Sequence, residues 1–211
     1  MRLFRRLDRN ADSMELVLTM MISAADDSRA LARGLRARNP RLLDELIEKY
    51  QYRLLRYLIT LTGNHATAED LFQETWLRVL ERGHQFDPRF RFEPWLFAVA
   101  RNLFLDRVRR RPELSLTAAE DDEEMPRDLP DGHARSPFEE ALRSERQRAL
   151  DGAMATLAPI YREVLALRFQ EDLSLEEIAR VSNVPVSTVK SRLYRGLTHM
   201  HAELGRAGVA P

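Results

Sequence analysis

The stretch from residue 86 to residue 112 carries the side chains best suited to binding a polyanion. Seven arginines stand there against three acidic residues, and six aromatic rings are interleaved with them. Rings can stack on unpaired bases while guanidinium groups follow the phosphate backbone, so the pattern is typical of a surface for single-stranded nucleic acid. Trp95, Val99 and Leu103 also share the spacing of one helix face, and much of the same aromatic content could instead form a hydrophobic core.

Residues 173–195 have the pattern of a helix-turn-helix. Ser174 and Glu177 have the spacing of a capping box, in which each side chain bonds the backbone N–H of the other residue. Asn183 stands at the tight turn, where a residue that tolerates a positive φ is needed, and Pro185 prevents the first helix from continuing. The inner face of that first helix is predicted to consist of Ile178, Ala179 and Val181.

The second helix of this motif, which we expect Ser187 to cap, combines an apolar stripe with an outward polar face. The stripe is predicted to be Val189, Leu193, Leu197 and Met200. The outward residues are Ser187, Thr188, Lys190, Ser191, Tyr194 and Arg195. These side chains can reach base edges and phosphates when such a helix lies in a major groove. The alternative is an ordinary helical hairpin with a solvated charged face.

No group of residues in the sequence suggests catalysis or a bound metal. The chain has no cysteine, and its five histidines lack a paired spacing suited to zinc. There is no nucleophile paired with a base, and no phosphate-binding loop. We therefore predict no catalytic residue, no metal and no cofactor, which makes an enzyme the least favoured class of function.

The composition predicts an all-α fold, because leucine, alanine, arginine and glutamate dominate while only 8 glycines and 10 prolines interrupt 211 residues. Helical periodicity begins near residue 28 and gives one or two helices up to residue 50. A helix from 52 to 61 is expected to stop at Gly63, the next to be capped by Thr67 and to reach residue 82, and another to run from 95 to 109 behind Pro94. These helices predict a first domain over 28–112, and renewed periodicity predicts a second over 138–204, followed by a tail at 205–211.

The two predicted domains are separated by an acidic segment, residues 113–137. Ten acidic residues stand against two arginines between positions 113 and 140, and Pro126, Pro130 and Pro137 interrupt the segment. It should bury too little apolar surface to fold alone, so we interpret it as a flexible linker. Residues 1–27 are expected to be a mobile extension or an over-long start, and no run of about 20 apolar residues predicts membrane insertion.

In their order along the chain, these motifs resemble the extracytoplasmic-function subfamily of the bacterial sigma-70 family. The helix with the sequence AEDLFQETWLRVL, residues 68–80, is similar to the family helix that docks on the clamp helices of the RNA polymerase β′ subunit. The resemblance implies that polymerase is bound by Asp70, Gln73, Glu74 and Leu77. Simple solvation of a polar helix face is the alternative.

The segment WLFAVARN, residues 95–102, resembles the family element that opens the −10 region and holds a flipped base. Ala98 departs from the arginine that is common in the family. The resemblance implies −10 contacts by Phe90, Arg91, Trp95, Asn102, Arg107, Arg109 and Arg110. The helix-turn-helix is similar to the family's −35 reader, with its outward residues on the bases, although Asn183 and Ser187 replace glycines that are common there.

The resemblance implies a sigma factor with two small helical domains, a region 2 bundle and a region 4 helix-turn-helix. Its implied partners are core RNA polymerase through the β′ clamp helices and the β flap, promoter DNA that is single-stranded at −10 and double-stranded at −35, and an anti-sigma factor. The implied compartment is the cytoplasm. The alternatives are a helix-turn-helix regulator that acts without polymerase and a sigma mimic that sequesters an anti-sigma protein.

Overall fold

The computed structural model describes residues 27–110, 147 and 149–208, and this part of the chain is helical without any strand. Its helices are α1 (27–36), α2 (Pro40–Thr62), α3 (His65–Arg82), α4 (Phe92–Arg110), α5 (149–155), α6 (Pro159–Leu165), α7 (Leu175–Ser182) and α8 (Val186–Arg206). A 3-10 turn, Gly83–Gln85, follows α3, and a π turn, Ala166–Gln170, extends α6. The all-α prediction is confirmed. Residues 1–26 of the predicted N-terminal extension and the whole predicted acidic linker lie outside the described residues.

The ends of α2 and α3 follow from local backbone chemistry. The left-handed conformation of Gly63, φ 65°, ends α2, and its N–H donates to the carbonyl of Ile59. Asn64 then caps α3, because its side-chain oxygen accepts from the N–H of Thr67 at 2.8 Å. The prediction that Thr67 is the cap is wrong: asparagine ranks among the strongest N-cap residues, and its position starts the helix earlier, at His65.

Two further helix starts differ from the sequence prediction. Helix α4 begins at Phe92, so Pro94 lies inside its first turn, where a backbone N–H has no helical partner in any case. Helix α8 begins at Val186 with Pro185 in the N-cap position, and no side chain caps it. The prediction that Ser187 caps this helix is therefore wrong, because Ser187 already lies within the first turn.

The first half of the structure, residues 27–110, is a bundle in which α2 packs against α3 and α3 against α4. Its centre is formed by fully buried side chains, among them Leu54, Tyr57, Leu71, Val79 and Phe97. Burying a side chain of this size stabilises the fold by about 1.5–3 kcal/mol. The bundle thereby fixes α4, which carries the arginines and rings singled out in the sequence.

In the second half of the structure, residues 149–208, α6 and α7 pack against α8. The fully buried side chains there include Leu167, Leu173, Ile178 and Val189. The two halves also pack on each other. Helix α4 contacts α7, and α2 contacts both α6 and the π turn that follows it. Buried residues of both halves therefore form one continuous hydrophobic cluster.

Candidate nucleic-acid interface

The helix-turn-helix predicted from the sequence is present with its local chemistry intact. The hydroxyl of Ser174 accepts from the N–H of Glu177 at 3.2 Å, and the N–H of Ser174 donates to the Glu177 carboxylate at 2.8 Å. Asn183 adopts φ 52° and ψ 49° and ends α7. The predicted inner face of α7, Ile178, Ala179 and Val181, is buried. The capping box and the turn are thus confirmed, and together they fix the direction in which α8 leaves the turn.

Helix α8 presents a polar row to the surface. Ser187, Lys190, Ser191, Tyr194 and Arg195 are exposed, with Tyr194 at 75% of its full exposure, whereas Thr188 is half-buried. Five of the six residues predicted to face DNA therefore lie on an accessible face. A helix of this length can lie in a major groove with that face toward the base edges.

One residue of the predicted apolar stripe on α8 is placed differently. Leu197 is 44% exposed, while Gly196 beside it is buried. A Cβ at Gly196 would lie 3.1 Å from the Leu165 side chain, so the glycine lets α8 approach α6 closely. The inward face of α8 therefore consists of the buried Val189 and Gly196 and the half-buried Leu193 and Met200, and Leu197 points outward.

The aromatic segment divides into core residues and one exposed ring. Phe86, Phe92 and Phe97 are buried, which agrees with the core interpretation of these three rings. Trp95 is half-buried with its ring centre 5.7 Å from that of Phe86, so it packs on the edge of this cluster. Phe90 is 46% exposed, with the Arg180 guanidinium 4.4 Å from its ring centre.

The loop before α4 is ordered by a short-range ion pair. Arg89 donates through Nε and Nη2 to both carboxylate oxygens of Asp87, and its backbone N–H donates to Asp87 as well. These hydrogen bonds lower the pKa of Asp87 to about 2. The loop carries Phe90 and Arg91 to the surface, where Phe90 lies against Arg180 and Arg91 lies 3.5 Å from Glu177.

The remaining predicted −10 residues lie along α4. Asn102, Arg109 and Arg110 are exposed on this helix. Arg107 is half-buried and donates to the carboxylate of Asp70 at 2.9 Å, which ties α4 to α3. The structure thus brings an exposed amide and two exposed guanidinium groups onto the helix whose start carries Trp95, and the Arg109 guanidinium lies 3.7 Å from the Asp106 carboxylate. Arg107 has a structural partner that spacing alone did not reveal.

The predicted polymerase residues share one face of α3. Asp70, Gln73, Glu74 and Leu77 are all exposed, and Leu77 retains 61% of its accessible surface. A shallow groove of about 360 Å³ lies next to this face, between α2 and α3. Tyr52, which is 63% exposed and was not among the predicted site residues, lines that groove. The signal in the sequence that could have identified Tyr52 as a site residue is an aromatic residue on the exposed face of an amphipathic helix.

The amino-acid sequence of this chain matches the models of two known protein regions. The model of Sigma-70 region 2 matches residues 46–112, and the model of Sigma-70 region 4 matches residues 147–200. The two matches define a protein of the sigma-70 class. Within that class, the chain belongs to the ECF RNA polymerase sigma factors, the extracytoplasmic-function subfamily that its motifs resemble.

Two relatives carry this assignment. ECF sigma factor SigM of Bacillus subtilis is 32% identical over 164 residues, which cover 78% of this chain and 96% of SigM. ECF sigma factor SigE of Mycolicibacterium smegmatis is 36% identical over 165 residues, which cover 77% of this chain and 62% of SigE. The matched region thus spans less than two thirds of SigE and nearly the whole of SigM.

Two solved structures share the fold. CnrH in complex with the cytosolic domain of CnrY has a TM-score of 0.60 at 23% identity and covers 85% of this chain and 97% of that chain. The sigma factor RpoE in complex with the anti-sigma factor NepR, from Bartonella quintana, has a TM-score of 0.58 at 21% identity, with 76% and 97% covered. At these identities the likeness shows the fold.

The described residues contain no group of three or more histidine, cysteine or acidic side chains arranged to hold a metal ion. No helix among them is long and apolar enough to cross a membrane.

Proposed function

We propose that this chain gives core RNA polymerase its promoter choice by binding polymerase with one half and promoter DNA with both. The observation that carries the proposal is the exposed polar row on α8, held at a fixed angle by the capping box and the left-handed Asn183. This row reads the −35 element as a duplex in its major groove. The exposed Phe90 and the arginines of α4 engage the separated −10 strand.

Polymerase is engaged by the exposed face of α3, through Asp70, Gln73, Glu74 and Leu77. Acidic side chains around an apolar residue suit a basic helical partner such as the β′ clamp helices, and the second half suits the β flap. The chain acts in the cytoplasm, where polymerase works, and it supplies binding without chemistry of its own. An anti-sigma factor is a further partner, since RpoE, which shares the fold, is seen with one.

Runoff transcription with purified core polymerase tests this function. Mapping of transcript starts after overproduction of the chain supplies the templates. We expect transcripts from those starts only when the chain is added to core polymerase. DNA binding by the chain without any such transcript would favour a regulator that acts without polymerase. Failure to bind either DNA or polymerase would favour a sigma mimic.

A further inference from the structure

The first helix of the structure and the turn after it carry a concentration of positive charge that the proposed function does not use. Residues 28–43 contain no acidic residue and five arginines, which are Arg29, Arg33, Arg36, Arg38 and Arg41. All five are exposed. The formal net charge of the whole chain is zero, so this positive excess is a local feature of the surface.

Three of these arginines share one face of α1. Arg29, Arg33 and Arg36 are spaced by four and three residues, and side chains at such spacings are neighbours on a helix surface. The helix is held on the bundle by Ala32 and Leu35, which are buried in the core, so the row of arginines has a fixed place. From the first arginine to the third, the helix advances by about 10 Å at ~1.5 Å per residue. Three nucleotides of one DNA strand rise by a similar length at ~3.4 Å each.

The C-terminal end of α1 lies beside the segment that leads into the loop before α4. A Cβ at Gly83 would lie 3.0 Å from the Cβ of Leu35 and 3.3 Å from the Leu35 carbonyl oxygen, so the glycine lets α1 approach closely. The charge of Arg36 adds to the hydrogen bonds from Arg89 in lowering the pKa of Asp87, which lies in that loop. The arginine row therefore ends next to the loop that is proposed to engage the −10 strand.

Arg38 has a backbone conformation that is unfavourable for arginine. Its φ is 51°, and the N–H of Asn39 donates to the carbonyl of Gly34 at 3.0 Å. This is the hydrogen bond of a Schellman motif, whose left-handed position is usually glycine because a Cβ disfavours that conformation. Glycine would therefore end α1 with less strain. Helix termination does not explain an arginine at this position, whereas a use for its charge does.

The charges of this surface are not neutralised by carboxylates of the described part of the chain. Arg33 and Arg38 form no ion pair with a carboxylate that the structure describes, whereas Arg89 pairs with Asp87 and Arg107 pairs with Asp70. Guanidinium groups bind phosphate oxygens through strong charge-assisted hydrogen bonds. A row of them suits a ligand with regularly spaced negative charges, and the backbone of a nucleic-acid strand is such a ligand.

We propose that Arg29, Arg33, Arg36 and Arg38, the α1 basic face, are a further DNA-binding surface that holds the sugar-phosphate backbone of the −10 strand. The neighbouring loop before α4 then engages the bases of the same strand. The proposal rests on the proposed function, because it adds a contact to the DNA that the chain is proposed to bind. It assigns α1 a part in DNA binding that is separate from the arginines of α4.

A surface that binds only phosphates has a recognisable effect on affinity. Phosphate contacts position a protein on DNA and carry no sequence information, so their loss weakens binding to every sequence alike. Each contact also releases counterions, which makes binding weaker as the salt concentration rises. Loss of one contact flattens the slope of log affinity against log salt concentration by about 0.7 for a single strand.

The first experiment measures this slope for holoenzyme assembled from core polymerase and the full-length chain. The probe is a fluorescent promoter fragment with an unpaired −10 strand, taken from a mapped transcript start, and anisotropy gives its affinity at several salt concentrations. We expect Arg33→Ala to weaken binding and to flatten the slope by about 0.7. The loss should be equal for fragments with an intact and an altered −10 sequence. Arg206→Ala, which removes an exposed charge from the last turn of α8, should keep the wild-type slope.

The second experiment separates the charge of Arg38 from its effect on folding. Arg38→Gly should flatten the slope like Arg33→Ala, while its Tm should equal or exceed that of the wild type because glycine tolerates the left-handed conformation. Asp172→Gly relieves the same conformation, φ 52°, in the second half. We expect this control to keep or raise Tm as well, without any flattening of the slope.

The outcomes distinguish this surface from the proposed function. A wild-type slope in both Arg33→Ala and Arg38→Gly would overturn the α1 basic face as a DNA contact. A loss confined to the intact −10 sequence would overturn backbone binding. Weaker binding of the two variants to core polymerase, measured by competition, would make polymerase the occupant and overturn the proposal too. Failure of the wild-type holoenzyme to bind the fragment contradicts the proposed function itself, and the α1 basic face with it.

Discussion

At the scale of single residues, Glu177 shows how one side chain serves two structural purposes. Its carboxylate accepts from the N–H of Ser174 at 2.8 Å and completes the capping box of α7. The same oxygen lies 3.5 Å from the Arg91 guanidinium of the other half. The first contact is predictable from a spacing of three residues. The second joins distant segments, so no local pattern reveals it.

Two serines of the helix-turn-helix should differ in their effect on stability. Ser174→Ala removes the hydroxyl that accepts from Glu177, and we expect it to cost about 1 kcal/mol of the free energy of unfolding. Ser187→Ala should change that free energy by less than about 0.5 kcal/mol, because the hydroxyl of Ser187 caps no helix. Urea denaturation followed by circular dichroism measures both. Equal losses would contradict the observed cap.

Two phenylalanines of the aromatic segment should separate stability from promoter opening. Phe97→Ala removes a fully buried ring and should destabilise the chain by about 3–5 kcal/mol. Phe90→Ala removes a ring that is 46% exposed, so it should lower open-complex formation while costing far less stability. Thermal unfolding and single-round runoff of the two variants provide the comparison. Normal runoff from Phe90→Ala would remove this ring from the −10 surface.

At the scale of elements, the sequence predicts where helices form better than it predicts which face is buried. Gly63 and Asn183 end their helices as predicted, because glycine and asparagine tolerate the left-handed backbone conformation that ends a helix better than other residues do. Leu197 was expected in the core, but the buried stripe of α8 passes through Gly196 instead. A glycine has no side chain, so the hydrophobic pattern of the sequence does not indicate that it is buried. Only the packing of α8 against α6 shows that the close approach of the two helices requires Gly196. The cap of α3 was also predicted three residues too late, at Thr67, whereas Asn64 caps the helix.

The close approach of α8 to α6 predicts opposite effects for two glycine substitutions on one helix. Gly196→Leu places a side chain against Leu165 and should cost about 1–3 kcal/mol of stability. Gly205→Leu meets no atom within 4 Å and should stabilise α8 by up to about 1 kcal/mol, since leucine favours the helix more than glycine does. Thermal denaturation distinguishes them. Destabilisation by both variants would argue against the close approach as the cause.

At the scale of the whole molecule, the docking of the two halves is the feature that no segment predicts. Arg53 and Glu171 are 118 residues apart, and each on its own reads as a solvated surface residue. The family resemblance gives the two domains and the order of their functions, whereas their contact depends on complementary charges that meet only in three dimensions. The assignments of individual residues to polymerase and DNA stay predictions.

The polymerase face predicts a selective loss of binding. Glu74→Lys reverses a charge in the middle of the exposed face of α3, and we expect it to weaken binding to core polymerase about tenfold, ~1.4 kcal/mol. Glu81→Lys makes the same change at the exposed C-terminal end of α3 and should leave the affinity near the wild-type value. Competition against a labelled wild-type chain measures both. Equal weakening by the two variants would indicate a general charge effect instead of a docking site.

The most direct test of promoter recognition is single-round runoff on matched templates with an intact or an altered −35 element. We expect the alteration to reduce transcription strongly for the wild type and for Arg206→Ala, a control at the far end of α8. For Arg195→Ala, in the exposed polar row, transcription from the intact template should already be low, with little further loss on alteration. A wild-type response to the altered element by Arg195→Ala would contradict −35 reading by this residue, and indifference of the wild type itself would contradict −35 recognition by α8.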